Sequence, residues 1–252
     1  MCGRTGRLGT VTMTALADAL LDLVLPRHCL GCAEQGSALC PACRPDTPLL
    51  TPGGVWAAGE YEDGLRDALL AYKERGRRDL AGVLGTLLAD AVRAAGPPPG
   101  VVLVPVPSSR RAVRDRGGDH VLRLARRTSR LTGIPVRRPL RLVRSVADSA
   151  GLGTQARAAN LHRAMAASRP SRLGTAATVL LVDDIVTTGA TFAEASRALR
   201  MSGWRVVAAA AVAATRRRDG ADPISACPPR RTGHFGPGRL PGSGLPWAGP
   251  DR

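Results

Sequence analysis

Short apolar runs alternate along the chain with longer amphipathic stretches. Val101–Val104 (VVLV) and Val179–Val182 (VLLV) are wholly apolar, which suits strands buried on both faces of a parallel sheet. Trp204–Ala214 is a third such run, and Val55–Tyr61 predicts a further strand. Between them the apolar residues recur at helical spacing. Leu65, Leu69 and Leu70 do so in DGLRDALLAYKERG, and Leu80–Arg93 does so before the Pro97–Pro99 breaker. Val121, Leu124, Ala125, Thr128 and Leu131 form another helical face, and Phe192, Ala195 and Leu199 mark a helix beginning near Thr191. Pro135–Val143 is expected as one more strand. Strands alternating with helices predict an α/β fold with a central, mainly parallel sheet flanked by helices.

The pattern weakens at both ends. Residues 1–14 are unpatterned, and Met13 is a second candidate initiator. From Ala15 to Leu25, Leu16, Leu20 and Leu23 share one face while Asp18 and Asp22 share another, which predicts a short amphipathic helix. Pro45, Pro48, Pro52 and the Gly53–Gly54 pair read as a linker. Residues 15–50 are thus expected to form a small N-terminal unit and 54–215 the α/β domain. Residues 216–252, rich in Pro, Gly and Arg, are expected to be a disordered basic tail.

The densest chemistry lies in VLLVDDIVTTGAT, Val179–Thr191. Two carboxylates, Asp183 and Asp184, follow the apolar run. Thr187, Thr188, Gly189, Ala190 and Thr191 then lead into the helix. A loop of free N–H groups at a helix start is suited to an anion, and Thr hydroxyls add donors. Carboxylates at the strand end can accept hydrogen bonds from vicinal hydroxyls. A sugar carrying a phosphate satisfies both halves. The stretch is neither a Walker A loop, lacking Gly-Lys-Ser/Thr, nor a dinucleotide fingerprint, lacking GxGxxG.

Near the N-terminus, Cys29, Cys32, Cys40 and Cys43 make C-x2-C-x7-C-x2-C. Two close CxxC pairs in a reducing compartment point to four thiolates around a structural Zn²⁺. Redox or incidental pairs are the other reading of the spacing. Asp18 and Asp22 interrupt the N-terminal apolar stretch, which argues against a signal peptide, and no run is long enough to span a membrane. A cytoplasmic protein with reduced cysteines is expected.

The formal net charge is +16, and Lys73 is the only lysine among 36 basic residues. Such a surface attracts phosphates, whether of a small ligand or of nucleic acid. Aromatic residues are only 3% of the chain, too few for a platform on which single-stranded bases stack.

The motif Val179–Thr191 resembles the phosphoribosyl-pyrophosphate (PRPP) motif of type I phosphoribosyltransferases. With the four-Cys knuckle, Tyr72-Lys73, Pro105-Val106-Pro107, RGGDH and Gln155…Arg157…Asn160-Leu161, the chain resembles the ComF family of competence-associated, phosphoribosyltransferase-like proteins over about 15–215. The resemblance implies a type I phosphoribosyltransferase fold bearing an N-terminal zinc knuckle. It implies that Asp183 and Asp184 hold the ribose hydroxyls and that Thr187–Thr191 cradle the 5′-phosphate. Arg114 and Arg116 are then candidates for the pyrophosphate, with Arg110, Arg111 and Lys73 behind them. It implies Mg²⁺ entering with PRPP, a mobile loop over 145–160 and, as is common on this fold, a homodimer. The expected activity is transfer of the phosphoribosyl group to a nitrogen acceptor with release of pyrophosphate. The alternative is a non-catalytic competence or DNA-uptake accessory that binds single-stranded DNA or a helicase partner. One departure is plain: RGGDH stands where the family has RGFNQ, so Asp119 and His120 inherit no role from it.

Overall fold

The computed structural model describes residues 28–144, 161, 163–170 and 178–215. The expected helix over 15–25, the loop over 145–160 with Gln155 and Arg157, and the tail over 216–252 lie outside the described residues.

Five strands form the central sheet: β1 (Leu49–Leu50), β2 (Trp56–Glu60), β3 (Val102–Pro105), β6 (Thr178–Val186) and β7 (Arg205–Ala214). Their order is β1-β2-β7-β6-β3, with β1 antiparallel and the others parallel. The fold is therefore the expected mixed α/β architecture. The register sets Val102 beside Val179 and Val104 beside Leu181, so the two most apolar runs of the sequence lie side by side. A central strand flanked on both sides needs side chains that leave room for layers above and below. β7 meets that need with RVVAAAAVAA, seven of whose ten residues are fully or nearly fully buried alanine or valine toward its end.

Side chains alternate across the sheet. Leu180 and Val182 join Leu103, Ala208 and Ala210 in one core, under α1 (Asp63–Glu74), α2 (Ala81–Ala94) and α4 (His120–Thr132). Val179 and Leu181 join Val102, Val104 and Ala209 in the other, under α5 (Ala190–Met201) with its Phe192, Ala195 and Leu199. Within the first layer α2 and α4 are tied by the Thr128 hydroxyl, which donates to the Gly85 carbonyl at 3.1 Å. α4 starts where Asp119 Oδ1 accepts from the Leu122 N–H at 3.0 Å, an N-cap contact that satisfies an orphan donor.

The cysteine segment is part of the first core. Leu39 is fully buried there, with Cys29 and Ala38, against Leu65 and Leu69 of α1. The approach is close: a Cβ on Gly64 would lie 2.8 Å from Gly31 Cα, and one on Gly31 would lie 2.9 Å from Cys43 Sγ. Two glycines facing each other let this segment seat on the first turn of α1.

Several sequence expectations need correction. The Pro/Gly stretch over 45–54 is not only a linker, because Leu49 and Leu50 pair with Ala57 and Trp56 as β1. Pro135–Val143 is not one strand of the main sheet. Leu140–Leu142 (β4) pairs with Met165–Ala167 (β5) in a separate antiparallel ribbon, while Val136 makes a single bridge to Leu103. A six-residue helix, α3 (Arg110–Asp115), was not anticipated; Ser109 Oγ caps it by accepting from the Ala112 N–H at 3.1 Å.

Candidate functional site

Adjacent strands β6 and β3 send their chains to opposite faces. β6 leads into α5 on one face, and β3 leads through α3 into α4 on the other. Such a switch point opens a crevice at the carboxyl ends of the strands, where open α/β sheets bind ligands. The residues at that crevice are Asp183 and Asp184 on β6, the turn after Pro105 on β3, and the start of α5. The two carboxylates do not follow the strand, as the sequence suggested. They lie inside it, since β6 runs on through Ile185 and Val186, paired with Ala213 and Ala214.

Both acids are buried, Asp183 at 9% and Asp184 at 4% exposure. Burying a carboxylate is costly unless it is paired, and the two are treated differently. Asp184 turns toward the α1 and α4 layer. Its Oδ2 lies 2.8 Å from Lys73 Nζ and 2.8 Å from His120 Nε2. Burial alone would raise its pKa, but Lys73 and then His120 outweigh that and hold it below the usual carboxylate range. Among the described residues no cation forms an ion pair with Asp183, and Lys73 acts on it only at a distance. Its Oδ1 accepts from the Asp184 N–H at 2.8 Å. Burial, and after it the charge of Asp184, push its pKa well above the ordinary value. Two neighbouring carboxylates with opposed shifts mark a candidate functional site.

Lys73 is thus not a surface lysine. Its side chain is 18% exposed and reaches the site from the last turn of α1. His120 is not merely a residue that starts a helix either. Its side chain is 7% exposed, its carbonyl accepts from Tyr72 OH at 3.0 Å, and its ring meets the Tyr72 ring edge-on with centroids 6.3 Å apart. Burial raises the Tyr72 pKa, which keeps that hydroxyl a donor.

Thr187, Thr188 and Gly189 form a bend between β6 and α5. Gly189 sits at φ +79°, the left-handed conformation that glycine adopts without strain. Thr188 Oγ1 accepts from the Ala190 N–H at 3.3 Å. Thr187 is exposed, while Thr188, Gly189, Ala190 and Thr191 are half-buried. The backbone N–H groups at the first turn of this twelve-residue helix follow the bend directly, and a helix start of this kind favours an anion in general. Of the arginines, Arg116 reaches Glu74 Oε1 at 3.2 Å, one residue from Lys73. Arg78 Nη2 donates to the Gly117 carbonyl at 2.8 Å and pins the same loop to the end of α1. Arg114 is exposed on α3, and Arg111 pairs with Asp115 at 3.5 Å. Arg116 is therefore tied to the end of α1 through Glu74, whereas Arg114 is exposed.

The cysteines form a second centre. Their four Sγ atoms all lie within 4.8 Å of one another, and Cys32 Sγ is 3.6 Å from Cys40 Sγ. Four sulfurs around Zn²⁺ at about 2.3 Å would be about 3.8 Å apart, so the set fits a tetrahedral zinc. Cys29 Sγ accepts from the Gly31 and Cys40 N–H groups at 3.4 and 3.3 Å. Burial opposes ionisation of this thiol, yet the backbone donors lower its pKa to about 6. Burial pushes Cys43 up, so a divalent cation is what would make all four thiolates. The fit is to a closed structural site.

Comparison with known proteins agrees with the geometry at the crevice. Residues 121–231 match the family model for the phosphoribosyl transferase domain. No curated protein matches the chain. The chain is a mixed α/β protein with a mostly parallel sheet, and this stretch of it is similar to the phosphoribosyl transferase domain. The matched stretch contains the acids, the bend and α5, but not Lys73, His120 or the cysteines. Among the described residues no helix is long and apolar enough to cross a membrane.

Proposed function

We propose that the protein is a ComF-like phosphoribosyltransferase that binds PRPP and transfers its phosphoribosyl group to a nitrogen acceptor. The carrying observation is the switch point at the carboxyl ends of β6 and β3, where a polarised acid pair precedes the bend into α5. Asp183 and Asp184 take the ribose hydroxyls. Residues Thr187–Thr191 hold the 5′-phosphate with backbone and hydroxyl donors. Arg116 meets the pyrophosphate by exchanging its exposed partner Glu74 for a stronger anion, and Arg114 serves from further out. As the C1–O bond breaks, positive charge gathers on the ribose; the ionised Asp184 stabilises it, and the fixed carboxylate needs no reorganisation.

The acid pair also bears on Mg²⁺. One oxygen of Asp184 already faces Lys73 and His120 at 2.8 Å each, which leaves no multi-carboxylate cage. That suits a Mg²⁺ that keeps its waters and enters on the ligand's phosphates. Bound there, it would neutralise charge on the leaving pyrophosphate. The cysteine cluster is a structural zinc knuckle on this reading, and its seat on the first turn of α1 stabilises the helix that carries Lys73.

A second reading is favoured by the net charge of +16 and the exposed Arg110, Arg111 and Arg114 on α3. It is a non-catalytic DNA-uptake accessory, cytoplasmic and dimeric or not, that contacts single-stranded DNA or a helicase. The test that separates them measures PRPP consumption with Mg²⁺ across nitrogen acceptors, beside single-strand binding at several salt concentrations. Turnover abolished by Asp183→Asn supports the transferase. Salt-sensitive DNA binding unaffected by Asp183→Asn, with no PRPP binding, supports the accessory.

A further inference from the structure

We infer that His120 is a positioning residue: with Lys73 it fixes the charge and orientation of Asp184, turning Oδ2 inward and leaving Oδ1 for a ligand hydroxyl. The ligand half of this inference rests on the PRPP reading; the contact itself does not.

α4 begins at the C-terminal edge of the sheet, and its N-cap by Asp119 sets His120 as the first helical residue. The imidazole is held on three sides. Tyr72 OH donates to its backbone carbonyl, the Tyr72 ring meets the imidazole edge-on, and Asp184 Oδ2 stands 2.8 Å from Nε2. Such a distance to a carboxylate oxygen calls for a proton on Nε2. Among the described residues neither His120 Nδ1 nor Asp184 Oδ2 completes a hydrogen bond of good geometry, so the close approach of Nε2 to Oδ2 is an ion-pair contact with no competitor on the far side of the ring. A polar atom left unmatched in a buried ring is a cost, and it is borne where the other nitrogen meets the acid.

The charged groups facing Asp184 are few: Lys73 from α1, His120 from α4 and Asp183 beside it on β6. Tyr72, Asp119 and Arg123 lie around the histidine. Lys73 supplies the compensating charge. His120 supplies a fixed position, because an imidazole in a packed slot moves less than an ammonium on a four-carbon stem. The amide of Gln can place a donor near the same point without titrating.

The experiment uses full-length, zinc-loaded wild type, His120→Leu and His120→Gln, each checked for native circular dichroism. Carbon-13 NMR follows Asp184 carboxyl protonation without ligand, and calorimetry follows PRPP affinity with Mg²⁺ against pH. His120→Leu should shift Asp184 protonation to higher pH. The acid limb of PRPP binding should move up with it, and affinity at pH 7 should fall about tenfold, the scale of one hydrogen bond to a charged group. His120→Gln should restore most of both. The phosphate groups of PRPP titrate alike in all three proteins, so they cancel in the comparison. An Asp184 titration unmoved in His120→Leu overturns the inference, whether or not PRPP binds. A wild type that shows the NMR shift but no PRPP affinity overturns the PRPP reading and leaves the contact standing.

Discussion

Replacing Lys73 by Met removes the ammonium that stands 2.8 Å from Asp184 Oδ2. The carboxylate is 6% exposed and the ammonium 18% exposed, at 2.8 Å. Removing one partner of a fully buried pair costs about 3–5 kcal/mol, because the other charge is stranded. Here His120 still contacts the same oxygen and Lys73 keeps some water, so the expected loss is about 2–3 kcal/mol at pH 7. The pH dependence follows from the direction of the shift. Asp184 is held below the ordinary carboxylate range in the folded protein. The stability it contributes is therefore complete above its unfolded value, about pH 4, and is lost as pH falls through the lower folded value. The gap between wild type and Lys73→Met should be widest at neutral pH and narrow below about pH 4. Urea unfolding at pH 7, 5 and 3.5, with zinc present throughout, measures it. A variant within about 0.5 kcal/mol of wild type at pH 7 would refute the reasoning, since that is the range of surface substitutions away from any specific contact.

Two further outcomes follow from the same site and its neighbour. Asp183 has a raised pKa from burial and from Asp184, so ionising it opposes folding as pH rises above about 4. Asp183→Asn keeps an oxygen for the Asp184 N–H and should raise stability at pH 7 by about 1 kcal/mol while abolishing PRPP binding, a trade seen at strained functional sites; a destabilised variant contradicts this. Zinc should be present at one per chain by elemental analysis. Its chelation should lower the melting temperature of the whole domain, because Cys29 and Leu39 share a core with α1; an unchanged melting temperature would show that the knuckle is independent.

Periodicity and apolar runs were enough to read β2, β3, β7, α1, α2, α4 and α5, because each buries a continuous face. The ribbon of β4 and β5 was hidden for the opposite reason. Each strand has only three residues, and their pairing joins Leu140 to Ala167 across 27 positions. α3 was hidden because all but two of its residues are charged, leaving no apolar period; only Ser109 at its cap gave a local sign. The acids and the TTGAT bend were legible as a linear motif. Lys73 and His120 were not, although Lys73 stood out as the sole lysine. Their meaning lies in a convergence on Asp184 from two helices, over 111 and 64 positions of sequence. No local pattern encodes such a meeting; the sheet order brings it about.

Titration of PRPP with Mg²⁺ into the zinc-loaded protein by calorimetry tests the central claim most directly, with Asp183→Asn/Asp184→Asn as the control. The account expects saturable one-site binding by the wild type and none by the folded double variant. No binding by a folded, zinc-loaded wild type, or equal binding by both proteins, would contradict it.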